Sequence, residues 1–189
     1  MTKRFLAVTF AVITLAFTAT ATANPALNGA WVYRDDVFIF DNGNWETWHE
    51  GNRDMAGTYT TDGGGTANGG TLTLVTTAIH GGTNRWRDWY LNDSFGIDLD
   101  LSRDWYTKSD IRATVIAATL AGRGRLARWE WELDDPGEGR PATWEPGVLE
   151  AKIDEKLDDI FINFTATYSV VGNTLTMTTA DWEMWFTRR

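Results

Sequence analysis

Along much of this chain apolar and polar residues alternate with a period of two, the pattern of a strand with one buried face. In Gly29-Ala30-Trp31-Val32-Tyr33-Arg34, Trp31 and Tyr33 fall on one face and Val32 and Arg34 on the other. Val37 to Phe40 and Trp45 to Trp48 flank Asp41-Asn42-Gly43-Asn44. Asn-Gly readily takes the positive φ angles of a type I′ turn, so the spacing predicts a hairpin here. With Glu46 and Glu50 in water, Trp45 and Thr47 turn inward. A second hairpin is predicted from Gly57-Thr58-Tyr59-Thr60-Thr61 to Thr71-Leu72-Thr73-Leu74, across a glycine-rich stretch from Asp62 to Gly70. Alternation places Tyr59, Leu72 and Leu74 inward and the threonines outward.

The end of the chain repeats this unit. Ala166-Thr167-Tyr168-Ser169 leads through Gly172-Asn173 into Thr174-Leu175-Thr176-Met177-Thr178-Thr179. A last strand, Asp181 to Thr187, carries Trp182, Met184 and Phe186 on one face. Two copies of a hairpin are too few for a solenoid or a propeller.

The middle of the chain is mixed. Ile97 to Leu101 and Trp129 to Leu133 alternate as strands do. Between them, Ser109 is placed to cap a helix running from Ile111 to Leu120, ended by Gly122. Leu149, Ile153, Leu157 and Ile160 share one helical face, predicting a helix over about 147–159. Ile160 to Phe164 then returns to strand. Eight or more strands with one or two short helices give a mainly β fold, an antiparallel up-and-down barrel whose closure removes exposed edges.

Composition sharpens this picture. Lys3 and Arg4, the apolar run from Phe5 to Phe17 and the small residues Ala21-Thr22-Ala23 have the layout of a secretory signal. The run is shorter than the roughly 20 residues that a transmembrane helix needs. Residues 1–23 are therefore read as a signal peptide and 24–189 as one barrel domain, exported to a periplasm or secreted. Loss of Lys3 and Arg4 takes the net charge from −9 to −11. So acidic a chain repels nucleic acid and anionic lipid, and no nucleic-acid partner and no transmembrane anchor are expected. The absence of cysteine excludes disulfides and thiol chemistry. All eleven tryptophans lie after residue 23, so aromatic side chains dominate the expected interior.

Asn28-Gly29-Ala30-Trp31 carries a Gly-x-Trp at the start of the first strand, and the chain ends Trp185-Phe186-Thr187-Arg188-Arg189. With the two Tyr/Thr-Leu-Thr hairpins, these features resemble small bacterial lipocalin-like (calycin) proteins. The resemblance implies that Arg188 or Arg189 packs across Trp31 and closes the base of the barrel. It covers the first fifty or so and last twenty-five or so residues of the domain and leaves residues 83–160 unmatched. The strongest helix also precedes the last three strands, whereas typical lipocalins place theirs before the final short strand.

Reactive constellations are sparse. His49 and His80 are the two histidines, and neither sits beside a Gly-x-Ser-x-Gly elbow. Asp98, Asp100, Ser102 and Asp104 alternate like the start of a calcium loop, but that loop's central glycine and position-twelve glutamate are missing. Glu130 and Glu132 read as the wet face of a strand rather than a glycosidase pair, and nothing marks Asp35 and Asp36 as one either. The glycine-rich stretch lacks the lysine and helix of a phosphate loop. No catalytic residue, metal site or cofactor is expected, and the chain is read as a non-enzyme.

Strand parity nominates Tyr33, Trp45, Tyr59, Leu74, Trp131, Tyr168, Trp182 and Met184 as the lining for a small apolar or amphipathic ligand. The alternative is a cell-envelope or surface protein that meets a macromolecule through exposed aromatics, with Trp86, Trp89, Trp105 and Tyr106 as the contact set. An internal cavity favours the first reading and an exposed apolar patch the second.

Overall fold

The computed structural model describes residues 23–62, 68–82, 92–97, 103–128 and 147–189. Five strands follow one another in a meander: β1 (Gly29–Tyr33), β2 (Asp36–Asp41), β3 (Asn44–His49), β4 (Asn52–Thr61) and β5 (Gly69–His80). A helical section follows, made of α1 (Asn92–Phe95), the short strand β6 (Trp105–Thr107), α2 (Lys108–Leu120), α3 (Gly124–Arg128) and α4 (Val148–Asp158). The chain then resumes its meander as β7 (Asn163–Val171), β8 (Thr174–Thr178) and β9 (Glu183–Arg188).

All neighbouring strands are antiparallel. β7 takes the free edge of β5, from Gly69 opposite Ser169 to Val75 opposite Asn163. β9 returns to β1, with Trp31 opposite Arg188 and Val32 opposite Thr187. Eight strands thus close an up-and-down barrel, as the alternation predicts, and the helical section is an insertion between the fifth and sixth of them. β6 pairs with Ala78 to His80, the part of β5 that extends past β7.

Turn chemistry fixes the register. Asn42 and Gly43 both have positive φ between β2 and β3, as a type I′ turn requires. Gly172-Asn173 joins β7 to β8 with positive φ at Gly172 alone, the type II′ pattern with glycine at the first central position. Two bulges bend the strands around the barrel, one opposite Glu46 to Trp48 and one at Ala56 to Gly57.

Two hydrophobic clusters result. The barrel interior holds Trp31, Phe40, Trp45, Tyr59, Leu72, Leu74, Leu175, Met177 and Phe186, all buried, with Thr47 beside them. A satellite core gathers Ile79 of β5 with Phe95, Ile111, Val115, Leu126 and the apolar face of α4. Ion pairs Arg112–Asp154 and Lys108–Asp158 link α2 to α4.

Several local expectations change. The cap of α2 is Thr107, not Ser109: its hydroxyl accepts from Asp110 N–H while the Asp110 carboxylate accepts from Thr107 N–H at 2.9 Å. Ile160 and Phe161 do not begin a strand. Their N–H groups donate to the Leu157 carbonyl at 3.1 and 2.8 Å, which holds both side chains in the satellite core, and β7 starts at Asn163. The last strand begins at Glu183, because Thr179 and Trp182 are tied in a turn by Thr179 N–H and the Trp182 carbonyl. Ile97 is buried in the satellite core outside any strand, and the rest of its expected strand lies outside the described residues. So do Trp129 to Leu133 and most of residues 1–23. No helix among the described residues is long and apolar enough to cross a membrane.

Candidate functional site

One end of the barrel is plugged. Pro25 to Leu27 form a single 3-10 turn, capped by the Asn24 side chain, that tucks Leu27 into the interior. The Trp31 indole N–H donates to the Leu27 carbonyl at 2.6 Å, and the Arg188 guanidinium lies 4.4 Å from the indole centroid while donating to the Ala26 carbonyl. Of the two terminal arginines, Arg188 is thus the one that covers Trp31. Arg189 instead contributes its backbone N–H to the Ala30 carbonyl.

Tyr59 and Tyr168 belong to this plug. The Tyr59 hydroxyl donates to Asn28 Oδ1 at 3.0 Å, and its ring meets Phe40 edge to face. Burial is the main cause that pushes its phenol above its ordinary pKa. The Tyr168 hydroxyl accepts from the Asn24 amide at 2.7 Å. Both rings point inward as alternation requires. Their hydroxyls are anchored to residues before β1, which keeps them at the closed end.

Toward the other end the described side chains do not fill the interior. A cavity of about 520 Å³ lies there. Tyr33, Trp45, Leu74, Trp182 and Met184 line it, so five of the eight nominated residues come together. Tyr59 and Tyr168 stand below it, and Trp131 lies outside the described residues. Trp182 is 37% exposed and packs against Phe164 at 5.8 Å between centroids. With the 38%-exposed Ile162 these two rings form an apolar rim.

Sequence reasoning misses part of the lining. Phe38 sits two residues before the buried Phe40, and Met55 of β4 also lines the cavity, whereas Met177, inward by alternation, faces Met184 across β8 and β9. Thr76 shares the inward parity of Leu72 and Leu74, but the strand expected from the sequence ends at Leu74, whereas β5 runs on to His80. Thr76 is only 6% exposed, and its hydroxyl makes no hydrogen bond among the described residues. Such a group signals an unmet polar partner in an otherwise apolar site. The Thr76 backbone N–H is satisfied by the Ile162 carbonyl at 3.1 Å. Glu183, which accepts from the Thr178 hydroxyl, is the acidic residue of the lining among the described residues.

The histidines lie elsewhere. His49 meets Asp36 at 2.7 Å on the hairpin edge, and His80 packs edge to face on Trp105. No group of three or more metal-ligating side chains is assembled among the described residues. Tyr106, assigned by sequence to a contact surface, is buried in the satellite core. Its hydroxyl accepts from Arg103 N–H, and the Arg103 guanidinium covers its ring at 4.7 Å. Trp105 is half-buried, and Trp86 and Trp89 fall outside the described residues.

Comparison with protein-family models, with curated proteins and with solved structures finds no match for this chain.

Proposed function

We propose that this chain is an exported, non-enzymatic binding protein, a divergent lipocalin-like barrel that carries a small apolar or amphipathic molecule. The observation that carries the reading is the cavity of about 520 Å³ above a plugged base. Its size falls within the roughly 300–1,000 Å³ of small-molecule sites, and its walls are mostly aromatic rings, methionines and aliphatics. The Gly29-Ala30-Trp31 start with Arg188 across the indole supports the lipocalin-like relationship, and the signal-like residues 1–23 support export.

Trp45 and Trp182 make the site report on itself, because a ligand in van der Waals contact with an indole alters its emission. Titration with an apolar naphthalene probe should give saturable quenching at one probe per chain. Trp182→Ala should remove part of that signal and weaken binding. No response from any apolar probe at concentrations near its solubility limit contradicts the reading.

A further inference from the structure

Resting on that binding reading, we infer that the cavity selects an uncharged, ring-containing or polyunsaturated ligand carrying one hydrogen-bonding group, which meets the Thr76 hydroxyl, and that it rejects anions. Two observations combine here. The first is the isolated Thr76 hydroxyl, buried in the lining and making no hydrogen bond among the described residues. A buried donor of this kind gains most from a ligand that brings an acceptor to it, since the described residues give it none.

The second is charge. No lysine or arginine lines the cavity among the described residues, whereas Glu183 does. Arg34 is not among the described lining residues, and its guanidinium lies 5.1 Å from the centroid of the Tyr33 ring. A carboxylate or phosphate carried into these walls would lose its hydration with no cation to replace it. At the rim it would meet Glu183, on a protein whose net charge is already −9. Aromatic rings and the flexible, polarizable sulfurs of Met55, Met177 and Met184 favour flat unsaturated surfaces over saturated chains.

Three probes of nearly equal shape separate the possibilities: acetylnaphthalene, isopropylnaphthalene and naphthoate, each followed by tryptophan fluorescence. The ketone should bind tightest, and naphthoate at least tenfold more weakly than the ketone. Thr76→Val keeps the shape and removes the hydroxyl. It should weaken the ketone about tenfold, leave the hydrocarbon unchanged or tighter, and leave the melting temperature of the unbound protein unchanged or higher. Glu183→Gln should narrow the gap between ketone and naphthoate. Naphthoate binding as tightly as the ketone, or a Thr76→Val variant with unaltered ketone affinity, overturns the inference while leaving a binding cavity in place. Failure of all three probes to bind overturns the binding reading itself.

Discussion

The guanidinium of Arg188 lies 4.4 Å from the centroid of Trp31, and the two residues face each other across the seam where the last strand meets the first. The contact ties the chain's end to its first strand at the point where the barrel closes. Trp31 is fully buried with its N–H satisfied, whereas Arg188 keeps one side in water. The two substitutions should therefore differ in cost. Trp31→Ala should destabilise by about 3–5 kcal/mol as a large core truncation. Arg188→Ala should cost about 1 kcal/mol for the lost cation–π contact and hydrogen bond. Urea unfolding of the two variants checks both values, and equal costs would contradict this division.

Gly57 occupies a position where no side chain fits. A Cβ there would run into the Val75 carbonyl and come within 2.7 Å of the Trp45 indole nitrogen, which donates to the Thr58 carbonyl. Gly57→Ala should cost about 2 kcal/mol or more through overpacking against backbone. Gly172 provides the contrast: it has positive φ but open space around it. Gly172→Ala should cost about 1 kcal/mol of conformational strain alone. Thermal unfolding ranks the pair, and Gly57→Ala as mild as Gly172→Ala contradicts the packing argument.

The start of α2 should show in acid. Arg103 foremost, then the Thr107 hydroxyl and N–H, hold the Asp110 carboxyl well below the usual carboxylate range. A carboxyl depressed on folding contributes stability above its unfolded pKa, near 4, and loses that contribution as pH falls through the folded value. Asp110→Asn should lower stability at neutral pH and flatten the decline below about pH 4. Denaturant midpoints from pH 2 to 7 test this, and parallel curves for the two proteins contradict it.

The sequence pattern carries the barrel further than it carries the site. Alternation in Trp31/Tyr33, Leu72/Leu74 and Leu175/Met177 reveals which faces turn inward, because a period of two has only two solutions. It is silent on height along the barrel axis. Tyr59 and Tyr168 therefore look like lining by parity although Asn28 and Asn24 hold them at the base. Thr76 escapes notice for a different reason: the strand expected from the sequence stops at Leu74, and only the longer β5 carries the inward parity on to residue 76. The cap of α2 is displaced by two residues because Thr107 and Ser109 are both competent caps. Only Thr107 has an acidic residue three positions on, in Asp110.

Export is tested at the N-terminus. Protein recovered from outside the cytoplasm of its host should begin at or near Asn24 by N-terminal sequencing. Intact Met1 on exported protein contradicts the signal-peptide reading.

The central claim, a barrel that holds a small molecule, is tested most directly by native mass spectrometry of the protein purified from its own host. The account predicts a one-to-one adduct of a small neutral molecule, displaced by excess acetylnaphthalene and lost from a Met184→Trp variant that fills the cavity. The contradicting result is the bare polypeptide mass under conditions that retain added acetylnaphthalene on a control protein known to bind it, with no adduct formed when the same probe is supplied to this one.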